Sequence, residues 1–208
     1  PQKALINLSD NLCTIEYLVK RVKNSRKADN IILCTTNKSE DDILVDIAIN
    51  NNINYFRGSV EDKLQRWSGA ASKFSIDYIV TADGDDLFID TKLIDIAFDQ
   101  LENGNADFIH STGIICGSFT YALRRSALQK VCQIKNTTDT EMMWVYFTDT
   151  GIFNVEELKN VPSNYFRHDI RMTLDYPEDL EFFKSVVSKS QKNNAYLHLD
   201  DILDLIDI

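Results

Sequence analysis

The sequence predicts an α/β fold: a mainly parallel, mixed central sheet with helices on both faces. Short apolar runs of strand length alternate with segments of helical spacing through the first half of the chain. Polar turn clusters such as Asn50-Asn51-Asn52 and Arg57-Gly58-Ser59 close them. Regular alternation of this kind is the mark of right-handed βαβ units. With 208 residues and an apolar fraction of 44%, residues 1–208 read as a single domain with a substantial core.

Taken in order, Leu12 to Val22 puts Ile15, Leu18, Val19 and Val22 at helical spacing, with Lys20, Arg21 and Lys23 as a basic outer face. Residues 30–34 (NIILC) read as a strand ending at Thr35-Thr36-Asn37. Ser39 with Glu40, Asp41 and Asp42 reads as a helix start, the carboxylates at the positive end of the dipole; Ile43, Ile47 and Ala48 continue its face. Ile53 to Phe56 is a second strand. Glu61 to Lys73 is a helix with Leu64, Trp67 and Ala71 on one side. Ile76 to Val80 is a strand, Thr91 to Glu102 a helix, and Ala106 to His110 a further strand.

The second half is less regular. Phe119 to Leu123 reads as a strand, Ser126 to Val131 as a helix, and Asp139 to Phe147 as another helix. Gly151 to Val155 and Phe166 to Leu174 are strand-like. Segments of this kind often cover the C-terminal edge of a parallel sheet. Pro177 to Val187 is a helix, Lys189 to Asn194 a polar linker, and Leu199 to Ile208 a short amphipathic helix with an acidic outer face.

The net charge of −10 and a sequence pI near 4.7 argue against broad binding to nucleic acid or to an anionic membrane. No apolar run reaches membrane-spanning length, and no secretory pattern is present. Cys13, Cys34, Cys116 and Cys132 lack a CxxC spacing, which favours reduced thiols and a cytoplasmic location. The first residues, from Pro1, read as a loop with no strand before it. The expectation is that a strand and the front of this loop precede residue 1.

The chemistry gathers at Asp83-Gly84-Asp85-Asp86, at the end of the strand through Val80. Ligands of open α/β sheets bind beyond the carboxyl ends of the strands. Carboxylates there suit a hard cation, and Gly84 permits close approach of the backbone to a ligand. Asp90, just before a helix, reads as an N-cap. Asp175 opens an Asp variant of the capping box with Glu178, and Pro177 fits the first turn. Asp175 could equally be the second carboxylate of a metal site, and its position alone leaves both readings open. His110, His168 and His198 are scattered in sequence, and Trp67 and Trp144 sit on apolar faces, so none marks a site.

Read together, these motifs resemble the cytidylyltransferases of the CMP-Kdo and CMP-sialic acid synthetase type, and most closely their spore coat polysaccharide SpsF-like branch. Pro1-Gln2-Lys3-Ala4-Leu5 looks like the end of that family's R-x-P-G-K-x-L phosphate loop, with Gln2 at the glycine position. FRGSVEDKL at 56–64, GDDLFID at 84–90, TLDYPEDLE at 173–181 and LDDILDLID at 199–207 look like its later motifs. The resemblance implies a Rossmann-like nucleotide-diphospho-sugar transferase fold. It also implies transfer of CMP from CTP to a sugar, sugar acid or phosphorylated acceptor, releasing pyrophosphate. It implies Mg²⁺ held by Asp85 and Asp175, with Lys3 on the phosphates. Nucleotide contacts would fall on Lys3, Thr35, Thr36, Asn37, Arg57 and Gly84. The acceptor pocket would be lined by Tyr121 and Arg124, and family members are often homodimers.

Two other readings are carried forward. A GT-A-type glycosyltransferase would use Asp83-Gly84-Asp85 as a DxD motif on a nucleotide sugar. A non-catalytic nucleotide-binding homologue is motivated by Gln2 and by GSFTYAL at 117–123, which lacks the family's arginine and acids.

Overall fold

The computed structural model describes residues 3–9, 12–193 and 196–207. Pro1 and Gln2, the front of the segment read as a phosphate loop, lie outside the described residues. So do Asn194, at the end of the predicted linker, and Ile208, the end of the predicted last helix.

A 3-10 turn (Lys3–Leu5) leads into an antiparallel hairpin of β1 (Asn7–Ser9) and β2 (Leu12–Cys13). Leu12 and Cys13 are thus strand residues, and α1 begins only at Thr14 (Thr14–Val22). The Glu16 carboxylate accepts from the Cys13 amide at 3.1 Å and fixes that start. Next come β3 (Ile32–Thr36), α2 (Asp42–Asn50) and β4 (Asn54–Gly58), a parallel βαβ unit as the alternation required. Then follow α3 (Lys63–Lys73), β5 (Tyr78–Val80), α4 (Thr91–Asn103) and β6 (Phe108–His110).

The chain then folds back. β7 (Ala122–Arg124) runs antiparallel between β5 and β6, and α5 (Arg125–Ile134) follows it. After α6 (Val145–Thr148), β8 (Val155–Glu157) pairs parallel with β6, giving the order β5-β7-β6-β8. The chain closes with α7 (Pro177–Asn193) and α8 (Leu199–Ile206).

Side-chain alternation shows that both faces are covered. Tyr78 and Val80 of β5 join a core with Leu18, Ile94, Phe183 and Ile202, so α1, α4, α7 and α8 lie on that side. Ile79, pointing the other way, joins Leu64, Leu128 and Phe147 from α3, α5 and α6. Among the described residues no helix is long and apolar enough to cross a membrane. Cys13 is buried, Cys34 and Cys132 are partly buried, Cys116 is exposed, and all four are free thiols.

Several predicted elements need correcting. Of the predicted Asp139 to Phe147 helix only residues 145–147 are helical, within α6. The Asp139 amide bonds Thr137 Oγ1 and the Glu141 amide bonds Asp139 Oδ1, local turns that compete with a helix. Buried Thr140 then ties the segment across the start of α3, through the Leu64 amide at 3.2 Å and Asp62 Oδ1 at 3.2 Å. Phe166 to Leu174 forms no strand, only a single bridge between Cys116 and Arg171. The predicted linker from Lys189 is instead helix as far as Asn193. Arg21, read as part of an outer basic face, is 2% exposed.

Gly117 decides how close the strand-like segment can come. Its φ is +85°, and a Cβ there would lie 2.3 Å from the Met172 carbonyl oxygen. Only glycine meets both demands. Gly117→Ala is expected to cost about 2–4 kcal/mol in urea unfolding, because it pushes away the backbone that leads to Asp175. An unchanged denaturation midpoint would contradict this packing.

Candidate active site

Both sheet segments deliver their strand ends to one rim. Lys63, five residues past the end of β4, bonds Asp83, three residues past the end of β5, at 3.0 Å. Thr81 continues β5 by donating its amide to the Tyr121 carbonyl at 2.8 Å. The chain then turns through Asp83–Asp86, with the Asp86 amide on the Asp83 carbonyl at 3.1 Å. Leu87, Phe88 and Ile89 are fully buried and anchor the turn. Gly84 is exposed, with nothing within 4 Å of where a Cβ would sit. Packing does not require a glycine there, and space is open for a ligand.

The four acids of this stretch have four different environments. Asp90 is buried and structural: its Oδ1 accepts from the Lys92 amide at 2.5 Å and its Oδ2 from the Tyr165 hydroxyl at 3.0 Å. Asp83 is paired with Lys63, whose ammonium also lies over the Trp67 ring at 5.2 Å. Asp86 is buried beside Thr120 Oγ1 at 3.3 Å; burial, then Asp83 and Asp85, push its carboxyl up to about 7. Asp85 is partly buried and, among the described residues, has none of the ion pairs that hold its neighbours. Burial first, and then Asp83 and Asp175, raise its carboxyl above the usual range.

Asp175 is brought to Asp85 by the backbone. The Leu174 amide donates to the Asp85 carbonyl at 2.9 Å, locking the two segments side by side. The capping reading of Asp175 is not what the structure shows. Asp179, in the first turn of α7, accepts from the amides of Asp175 and Tyr176 at 2.8 and 2.7 Å and caps the helix itself. The Asp175 carboxylate instead accepts from Lys3 Nζ at 2.9 Å and Arg171 Nη1 at 2.7 Å. The Lys3 contact dominates and holds the Asp175 carboxyl below its ordinary value. Arg171 also grips both Asp179 oxygens at 2.6 Å.

Lys3 is bonded to Asp175, and Asp85 lies near enough to feel the charge of both. Among the described residues no group of three or more His, Cys, Asp or Glu side chains is placed to hold a metal ion. Two carboxylates together with phosphate oxygens are nevertheless enough for Mg²⁺.

The predicted nucleotide contacts divide. Thr35 is buried and donates to Asp41 at 2.9 Å, and Thr36 bonds the same carboxylate through its amide at 3.1 Å and its hydroxyl. Arg57 bonds the Thr36 and Lys38 carbonyls at 2.9 and 2.6 Å and pairs with Asp42 at 2.5 Å. These groups hold the end of β3 and β4 together, and Asn37 closes it through its amide to the Gly58 carbonyl at 3.1 Å. Of the acceptor pair, Tyr121 stands at the rim, stacked between Phe108 at 5.2 Å and Trp144 at 6.2 Å. After burial, Asp83 and Asp86 raise its phenol. Arg124 is a correction. It pairs with Tyr78, at the opposite end of β5, and its guanidinium caps carbonyls of Leu101 and Gly104 at 2.5 and 2.7 Å.

Sequence reasoning missed Arg171, Asp179 and Lys63. The i, i+4 spacing of Arg171 to Asp175 was the one local signal for the first.

Comparison with known proteins bears on the family and the fold. A family model described as cytidylyltransferase matches residues 1–202. An uncharacterized protein of Methanocaldococcus jannaschii is 31% identical over 99% of this chain and 84% of its own length. The spore coat polysaccharide biosynthesis protein SpsF of Bacillus subtilis is 25% identical over 91% of this chain and 81% of its own. The structure of a cytidylyltransferase from Leptospira borgpetersenii superposes with a TM-score of 0.85 at 27% identity, covering 100% of this chain and 87% of that one.

Proposed function

Because this chain belongs to the cytidylyltransferase family, and so is a nucleotidyltransferase, we propose that it transfers CMP from CTP to a sugar, sugar acid or phosphorylated acceptor for surface polysaccharide synthesis. The observation that carries the site is the Leu174–Asp85 backbone bond, which sets Asp175 beside Asp85 with Lys3 on the same carboxylate. In the reaction, an acceptor oxygen bonds to the α-phosphorus of CTP while the bond from that phosphorus to the bridging oxygen breaks. Pyrophosphate leaves with the bond electrons, and a hydroxyl acceptor gives up its proton.

The residues present fit Mg²⁺. Asp85 is without an ion pair among the described residues, and Asp175, with two oxygens of two lone pairs each, has capacity left beside Lys3 and Arg171. When bound, Mg²⁺ supplies charge neutralisation between phosphate groups. Lys3, an exposed ammonium at the rim, suits the charge that grows on departing pyrophosphate. Arg171 and Asp179 hold the Asp175 carboxylate and backbone in place. Tyr121 and Trp144 offer an aromatic wall for the acceptor. The family, one of nucleotidyltransferases, speaks against the DxD reading. A free pool of CTP and four free thiols suit a cytoplasmic enzyme.

The test is pyrophosphate release from CTP against a panel of acidic sugars and sugar phosphates, with and without Mg²⁺. Acceptor-dependent pyrophosphate release with CTP, and no release of UDP or GDP from UDP- or GDP-sugars, is the expected result. CTP binding without turnover on any acceptor would return the non-catalytic reading.

A further inference from the structure

The segment between α5 and α6 crosses the start of α3 with little apolar anchorage. Of residues 136–143 only Thr140 and Met143 are buried. A polar cluster fastens the segment instead. Lys135 and Asp62 form an ion pair whose side chains are each 7% exposed. Lys135 Nζ also donates to the Thr137 carbonyl at 2.9 Å. Asp62, the N-cap of α3, accepts at Oδ1 from the Gln65 amide at 2.9 Å and from the Thr140 hydroxyl at 3.2 Å. The Thr140 oxygen accepts in turn from the Leu64 amide at 3.2 Å. Each oxygen of the two side chains thus has a partner.

Both ends of this clasp lead to the proposed site. Lys63, next to Asp62, donates to Asp83 at the rim at 3.0 Å. Trp144, next to buried Met143, stacks on Tyr121 at 6.2 Å. The clasp therefore joins the first turn of α3 to the aromatic wall beside β7. Stability does not call for buried charges here. Taking two charges out of water costs about as much as their attraction returns, and an apolar pair of similar volume is often as stable. A fully satisfied polar network instead fixes one arrangement, because its bonds fail when the segment slides. Such fixing matters where two reactants must be aligned, since small misplacements are costly there.

We infer that Asp62, Lys135 and Thr140 are positioning residues for the acceptor. They act through Trp144, which they hold against Tyr121. This role rests on the reading of Tyr121 and Trp144 as the acceptor's wall. It adds that the wall is set from the first turn of α3, the element that also supplies Lys63.

The test replaces the ion pair as a unit. Asp62→Asn keeps a capping oxygen for the Gln65 amide, and Lys135→Met keeps the apolar stem without the charge. The double variant should hold its Tm within about 4 °C of the parent, whereas Lys135→Met alone, which strands a buried carboxylate, should lose at least about 6 °C. A Trp67→Phe background leaves Trp144 as the sole tryptophan. In that background the double variant should raise the acrylamide quenching constant about threefold or more. For the acceptor that turns over in the panel above, KM should rise about tenfold or more while KM for CTP stays within about threefold. Unchanged quenching, or an unchanged acceptor KM, would overturn the inference. So would a double variant as destabilised as the single one, because the cluster would then serve stability alone. The quenching arm uses no substrate and stands even when the parent turns over no acceptor, so failure of the proposed reaction and failure of this positioning role are separate results.

Discussion

Asp85→Asn and Asp175→Asn are each expected to lower CTP turnover about 10³-fold, equivalent to ~4 kcal/mol of barrier, while both proteins remain folded. The fold should survive for different reasons at the two positions. What Asp85 gives the structure is its carbonyl, which holds Leu174, and asparagine keeps that carbonyl. Asp175 loses two exposed ion pairs, each worth less than about 1 kcal/mol. The chemistry should not survive, because an amide binds Mg²⁺ far more weakly than a carboxylate does. Mg²⁺ titration calorimetry in the presence of CTP separates loss of the cation from loss of the nucleotide. Asp83→Asn serves as the comparison, since Asp83 is engaged by Lys63 and should retain turnover within about tenfold. If Asp85→Asn keeps near-parental activity and Asp83→Asn does not, the metal assignment is wrong and the DxD reading returns.

The pairing of Asp85 with Asp175 was expected from the family resemblance of their motifs, because position alone left Asp175 open between a helix cap and a ligand. Their supports were not. Lys63 meets Asp83 across twenty residues, and nothing in either local pattern announces the contact. Arg124 shows the opposite error. It follows Tyr121 in the sequence and so looked like part of one pocket wall. The antiparallel direction of β7 carries it along the sheet to Tyr78, where it caps the end of α4. The strand and helix alternation of the first half could be read because hydrophobic periodicity is local. The stretches 139–144 and 166–174 could not, because their buried residues, such as Met143 and Met172, pack from irregular backbone held by side-chain hydrogen bonds and a bare glycine contact.

Arg21 was the most misleading residue, and it carries the largest stability expectation. Helical spacing set it beside Lys20 and Lys23, yet it is buried against the layer that supports the site. Its Nε donates to the Ile89 carbonyl at 2.7 Å and its Nη1 to the Leu197 carbonyl at 2.8 Å. Its guanidinium lies 4.9 Å from the Tyr196 ring centre and 5.5 Å from that of Phe88. One planar group thus ties α1 to the end of the acidic turn and to the segment before α8. Arg21→Met would fill much of the same space but leave two carbonyls without donors, at about 1–3 kcal/mol each. A loss of about 3–5 kcal/mol in urea unfolding is expected. Arg21→Lys should recover little of it, because an ammonium cannot span two carbonyls in the plane of a guanidinium while stacking on the rings. Amide exchange should rise at α8 in both variants, since Leu197 is released. A Met variant as stable as the parent would mean that stacking of the side chain, and not the two carbonyl bonds, holds this layer to the turn that carries Asp85.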